Sequence, residues 1–310
     1  MPTLNRPKVA ISMGDINGVG VEIALKAHYD VTQLVQPTYC IDRPLLERAA
    51  ARLNVTVPDD FQLSDVGYDV PIEPGHVSER SGEFSYHSFL KAIDLAKEKK
   101  VDAIVTLPIH KEAWSLAGIK YKGHTDMLRD IFQKDAIMML GCEKLYVALF
   151  TEHIPLQAVA SSLTLQRLTT FLEDFYHAVG HHKIAVLGLN PHAGDNGVLG
   201  NEEEIISEVI RTLNSALGKE VFVGPIVPDI AFTPHFREQY TYMVAMYHDQ
   251  GLGPLKALYF EESVNISLNL PIVRTSVDHG TAFDIAYKGK AKTVSYINAI
   301  IAAKALINNN

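Results

Sequence analysis

The sequence predicts an α/β fold of two domains built around mostly parallel sheets, and three observations carry that expectation. The chain has 310 residues, 47% of them hydrophobic. That is enough to bury a large core, and at about 150 residues per domain it suggests two domains. Short apolar runs rich in Val, Ile, Leu and Ala alternate with segments of helical period, the pattern of βαβ units. No internal repeat, low-complexity tract or clear linker divides the chain into beads, so it is expected to cross between the domains more than once.

The elements follow in order. KVAISMG (residues 8–14) is a continuous apolar run of the kind a strand buried on both faces requires, and VEIALKAH (21–28) continues it with a helical period. From about Val57 to Gly82 the sequence is rich in Pro, Asp and Ser and reads as surface loop. FLKAIDLAKEKK (89–100) is helical, and VDAIVTLP (101–108) is the next strand. LYVALFT (145–151), KIAVLGLN (183–190) and MVAMY (243–247) supply three more strands.

Composition narrows the function. A formal net charge of −8 argues against a nucleic-acid binder, which needs a basic face, and favours a small-molecule partner. The two cysteines, Cys40 and Cys142, form no C-x-x-C arrangement, so neither a disulfide framework nor a thiolate zinc site is expected. The start, MPTLNRPKVAISMGD, lacks a signal-peptide core, and no run reaches the roughly 18 apolar residues of a membrane span. A cytoplasmic protein is the expectation.

In open α/β sheets ligands bind beyond the carboxyl ends of the strands. LYVALFT is followed by Glu152 and His153, KIAVLGLN by Pro191, His192 and Asp195, and MVAMY by His248 and Asp249. Three strands therefore deliver three histidines, a set that can share a metal at about 2.1 Å and leave positions open for substrate. Asp195 and Asp249 could orient the imidazoles. The spacings, 39 and 56 residues, match no local metal motif. Zinc suits imidazole, while an oxygen-rich substrate admits magnesium, manganese or cobalt.

VDAIVTLP leads into His110 and Lys111. The first strand leads into Gly14-Asp15-Ile16-Asn17-Gly18-Val19-Gly20, a glycine-rich turn that can face an anion but lacks the G-x-G-x-x-G spacing. In KGHTDML, Thr125 or Asp126 is a candidate N-cap behind His124. Lys256 and Arg274 are the candidates for an anionic substrate group. In the stretch YHDQGLGPLK, Gly251 and Gly253 are expected to turn the backbone close to the substrate, so that Lys256 reaches a phosphate.

Together, YHDQGLGPLK, VNISLNLPIVRTSVDHGTAFDIA, KGHTDML, NPHAGDNG and GDINGVGVE resemble the 4-hydroxythreonine-4-phosphate dehydrogenase family of vitamin B6 biosynthesis, from about residue 8 to about residue 305. The resemblance implies an isocitrate/isopropylmalate dehydrogenase-like fold: two α/β domains, an interdomain active-site cleft, and a homodimer with shared active sites. It implies a first domain of residues 1–130 plus 275–310 with the NAD-binding loop, and a second of 131–274 with the metal ligands and dimer contacts. By motif, the metal ligands fall on His153, His192 and His248. Substrate contacts fall on His124, Thr125, Lys256, Asn265 and Arg274. The adenosine half of NAD falls on Asp278, His279, Gly280, Thr281 and Ala282. Three places depart from the usual pattern: Ile16-Asn17, Val21, and His110 where asparagine is usual.

The implied reaction is NAD- or NADP-dependent and uses one divalent metal per site (Zn, Mg, Mn or Co). 4-Phosphooxy-L-threonine is oxidised at C3 and decarboxylated to 3-amino-2-oxopropyl phosphate. Asp249, Lys111 and His110 are equal candidates for moving protons. The alternatives are a sister dehydrogenase for a phosphorylated sugar acid such as phosphoerythronate, a phosphate acyltransferase on the same fold, and a catalytically silent binding protein.

Overall fold

A computed structural model of the chain describes residues 6–180 and 182–309. The first five residues of the start read above, and residue 310, lie outside the described residues. Two compact units result. Unit 1 holds the chain up to Lys134, Val264–Ile266 and everything from Leu270 onward; unit 2 holds Asp135–Ser263 and Ser267–Asn269. The chain thus returns to unit 1 before residue 275, the boundary expected from sequence. The reason is strand pairing: Val273 and Arg274 sit opposite Ala103 and Ile104, which belong to unit 1.

Unit 1 opens with β1 (Lys8–Ser12), α1 (Gly20–Leu34), β2 (Gln36–Cys40), α2 (Arg43–Leu53), α3 (Glu79–Lys97), β3 (Ala103–Thr106), α4 (Lys111–Leu116) and α5 (His124–Phe132). Unit 2 contains β4 (Ile137–Cys142), β5 (Leu145–Leu149), α6 (Val159–Ser162), α7 (Leu165–Val179), β6 (Ile184–Leu187), α8 (Glu202–Leu217), β7 (Phe222–Ile226), α9 (Pro228–Ala231), α10 (Pro234–Arg237), β8 (Tyr242–Ala245) and α11 (His248–Tyr259). β9 (Val264–Leu268) is divided between the units, and β10 (Val273–Val277) and α12 (Val294–Asn309) complete unit 1.

In unit 1 the strands run in the order β2-β1-β3-β10, all parallel. Burial on both faces is why they read as unbroken apolar runs: every residue of β3 is buried, as are four of the five in β1. α12 packs on β10 and β3. α3 packs on β1 and, with α4 and α5, encloses a core that includes Phe89, Ile104 and Trp114. Ser78 caps α3, its hydroxyl accepting from Ser81 N–H. Unit 2 has the order β4-β5-β8-β6-β7. β4 and β5 are antiparallel, and the other pairs are parallel.

The proline-rich stretch from 57 is only partly the expected surface loop. Phe61, Val70 and Ile72 are buried, Tyr39 forms an isolated bridge with Leu63, and α3 begins at Glu79. Phe61 stacks on Tyr39 at 3.7 Å, so the segment covers the open edge of β2. Among the described residues, no helix is long and apolar enough to cross a membrane.

Candidate functional site

In unit 2 the strands β5, β8 and β6 are consecutive neighbours and run parallel, so their carboxyl ends share one edge. These are the strands that His153, His248 and His192 follow. The rings of His153 and His248 lie 5.5 Å apart. His248 Nδ1–H donates to Asp249 Oδ1 at 2.6 Å; since a carboxylate only accepts, this leaves Nε2 for a ligand. His153 Nδ1 stands 4.0 Å from Glu152. His192 begins a left-handed run, with φ +52° at His192, +49° at Ala193, +44° at Asp195 and +54° at Asn196. Such a run costs about 1–2 kcal/mol per non-glycine residue and needs support. Glu203, 7% exposed, provides it: Oε1 accepts from Leu189 and Asn190 N–H at 2.8 and 2.7 Å, and Oε2 from Asn190 Nδ2 at 2.9 Å. Among the described residues, no three His, Cys, Asp or Glu side chains converge closely enough to hold one ion, while the three imidazoles are of the donor type a divalent ion takes.

The stretch after His248 corrects the sequence reading. It is not a loop turned by glycines; His248–Tyr259 is a helix, α11, with Pro254 inside it. Packing overrides the local signals. Gln250, Gly251, Leu252, Leu255 and Tyr259 form its buried face against β4, β5 and β8. Gly251 is there for close approach: a Cβ would stand 2.7 Å from Val147 Cγ1 and 2.9 Å from Ala245 Cβ. Half-buried Lys256 therefore lies eight residues beyond His248, about 12 Å along the helix axis.

In unit 1 the loops after β1, β3 and β10 converge. Gly14, at φ +67°, has no room for a Cβ, which would meet Pro108 O at 2.2 Å. Val19 N–H donates to Thr281 O at 3.0 Å, and a Cβ on Gly18 would lie 2.9 Å from that oxygen, so the glycine-rich turn seats the 278–282 segment. Gly280 is exposed with open space around it, and Asp278 N–H donates to Ser295 Oγ at 3.2 Å. The His110 ring stacks on Phe283 at 4.9 Å. Lys111 is exposed at the first position of α4.

A second cluster suits an anion. Arg274 on β10 is 2% exposed, and its Nη2 donates to Thr106 Oγ1 on β3 at 2.7 Å. Burial pushes its guanidinium down to about 9. Burial, and then the Arg274 charge, hold His124 well below the ordinary imidazole range. The His124 ring lies edge-on to Phe89 and Trp114. Neither Thr125 nor Asp126 caps α5 as expected; Gly123 is the cap and gives no side-chain bond, while Asp126 accepts from Lys122 N–H. A helix start of this kind, next to a buried guanidinium, is suited to an anion. His110 Nδ1, His124 Nε2 and Asn265 Oδ1 are buried polar atoms without a hydrogen-bond partner among the described residues, as expected of groups that await a polar ligand.

Sequence reasoning passed over four residues: Gln250 and Thr151, which tie the histidine-bearing strand ends together; Glu203; and Asp15. Asp15 is fully buried and is raised to about 6 by burial, which outweighs its bonds from Asn17 N–H and Ser81 Oγ. Gln250 alone carried a signal, as a polar residue on what proves to be the buried face of a helix.

Comparison with known proteins identifies the family. The family model for the pyridoxal phosphate biosynthetic protein PdxA matches residues 33–303. A 4-hydroxythreonine-4-phosphate dehydrogenase of Sulfurimonas denitrificans is 61% identical over 303 residues, covering 98% of this chain and 99% of the relative. One from Helicobacter pylori is 48% identical, covering 95% and 98%. Among solved structures, that of the Klebsiella pneumoniae 4-hydroxythreonine-4-phosphate dehydrogenase superposes with a TM-score of 0.83 at 35% identity, covering 97% of this chain and 98% of that one. Two bacterial phosphotransacetylases share the fold at TM-scores of 0.50 and 0.51 but only 14% and 13% identity. With the match running through both units, the chain belongs to the PdxA family of pyridoxal phosphate biosynthetic proteins.

Proposed function

We propose that the chain oxidises 4-phosphooxy-L-threonine at its C3 hydroxyl with NAD or NADP and releases carbon dioxide to give 3-amino-2-oxopropyl phosphate. The observation that carries this reading is that a PdxA-family chain sets its three histidine-bearing strand ends side by side on one edge of unit 2. His153, His192 and His248 would hold one divalent ion, their donor chemistry suiting zinc, cobalt, manganese or magnesium with an oxygen-rich substrate. When bound, the ion polarises the substrate oxygen and the nicotinamide accepts the hydride.

The chain's own groups do the rest. Asp249 holds His248 in the tautomer that presents Nε2. Arg274, His124, Thr125 and the start of α5 form the anion cradle; Asn265 and Lys256 are further contacts. Asp278, His279, Gly280, Thr281 and Ala282 form the seat for the adenosine half of the cofactor. Asp249 already accepts from His248, so among the proton-moving candidates the reading favours His110 and Lys111. Exposed Leu156, Val198 and Leu199 in unit 2 support a homodimer.

The test is NADH formation by the purified chain with phosphohydroxythreonine or phosphoerythronate, with and without chelator. Turnover on the first that is lost on chelation and restored by metal is expected. Preference for the sugar acid would move the chain to a sister activity, and turnover indifferent to full metal removal would discard the metal.

A further inference from the structure

We infer that Gln250 is a positioning residue of the three-histidine edge, joining the strand ends that carry the imidazoles and thereby setting divalent-metal affinity. The inference rests on the metal reading proposed above. Gln250 is 8% exposed, two residues past His248 on the sheet-facing side of α11. Its Oε1 accepts from Met246 N–H at 2.7 Å, and its Nε2 donates to Gly188 O at 2.7 Å. Met246 leads into His248, and Gly188 leads into His192. The Met246 carbonyl in turn accepts from Thr151 Oγ1 at 2.6 Å and from Thr151 N–H at 3.2 Å, and Thr151 leads into His153. One carboxamide, one hydroxyl and one main-chain bond thus link all three chain exits.

The chemistry of the site explains why a carboxamide is required. Beyond the last ladder bond the sheet's own hydrogen bonds no longer fix the spacing of adjacent exits. Met246 N–H and Gly188 C=O are main-chain groups in a buried setting, and each needs a partner. A side-chain amide carries an acceptor and a donor on one rigid plane and so can accept from one and donate to the other, and that requirement also fixes which way the amide points. A carboxylate could not donate to Gly188 O, and an apolar side chain would satisfy neither group. Metal ligands tolerate errors of only about 0.2 Å, so slack between the exits is felt first as lost affinity. Glu203 is no rival for this role, because it braces one loop rather than joining three.

The test is titration of metal-free protein with Co²⁺, read by calorimetry and by the cobalt absorption spectrum, for wild type, Gln250→Met, Thr151→Val and His248→Ala. Wild type should bind one ion and His248→Ala should lose it. Gln250→Met should keep the stoichiometry but bind about 10- to 100-fold more weakly, the usual cost of removing a group that orients ligands, with an altered spectrum. Thr151→Val should move affinity and spectrum the same way, and carries the test should Gln250→Met not fold. Folded Gln250→Met with wild-type affinity and spectrum, beside a His248→Ala that has lost its ion, overturns the inference alone. Wild type without stoichiometric binding, or His248→Ala with unchanged binding, overturns the metal reading and the inference with it.

Discussion

Replacing Gly251 by alanine tests whether this glycine serves helix-to-sheet contact or backbone turning. Inside a helix, Gly→Ala gains about 1 kcal/mol from propensity. Here the new Cβ would sit 2.7 Å from Val147 Cγ1, 2.9 Å from Ala245 Cβ and 3.2 Å from Leu149 Cδ2. Two of these contacts are closer than carbon atoms tolerate, and Val147 and Ala245 belong to buried strands that cannot retreat. Overpacking of that kind costs about 1–3 kcal/mol, and this geometry belongs at the upper end, so a net loss of about 1–2 kcal/mol follows. Gly253, two residues on, is the internal control. It is exposed, and a Cβ there meets nothing within 4 Å apart from its chain neighbours. Its propensity gain is offset by the crowding that Pro254 imposes on the residue before it, so Gly253→Ala should change stability by less than about 1 kcal/mol. The only tryptophan, Trp114, lies in unit 1 and cannot report on α11. The assay is therefore hydrogen exchange of the β5 and α11 peptides across a urea series. Equal effects at the two glycines, or stabilisation by Gly251→Ala, would refute the close-packing argument.

Three further outcomes are expected. Asp15, raised from 3.8 to about 6 by burial, binds its proton more tightly folded than unfolded. Its contribution is therefore present below about pH 4 and is lost as pH rises through 6, a swing of about 3 kcal/mol that Asp15→Asn should abolish; Trp114 fluorescence in urea reads it, and parallel pH profiles for the two proteins would count against it. Arg274→Met should leave unfolding within about 1 kcal/mol of wild type, because buried charge is exchanged for apolar volume, yet lower kcat/KM for the phosphorylated substrate about 10- to 100-fold; steady-state kinetics beside urea melts separate the two effects. Lys256→Ala should weaken substrate by a similar factor with metal content unchanged, whereas metal analysis of His248→Ala should show depletion; the converse pattern would mean that the two ends of α11 do not play these roles.

The sequence alone determined the α/β class, the strands β1, β3, β5, β6 and β8, and the polar residues at their carboxyl ends. A strand buried on both faces reads as a near-continuous apolar run, and VAIS, LYVAL and IAVL are buried as they read. Tertiary structure decided what depends on contacts distant in sequence. His153, His192 and His248 are separated by 39 and 56 residues, and nothing local announces that β5, β8 and β6 are neighbours. The glycines and proline of HDQGLGPLKALY argue for a loop by propensity, but burying Leu252, Leu255 and Tyr259 on the sheet makes the segment a helix. Arg274 meets a threonine 168 positions earlier, and Gln250 meets a carbonyl 62 positions earlier. Periodicity is a property of a dozen consecutive residues, whereas these pairings are set by strand order and by the need of every buried polar group for a partner.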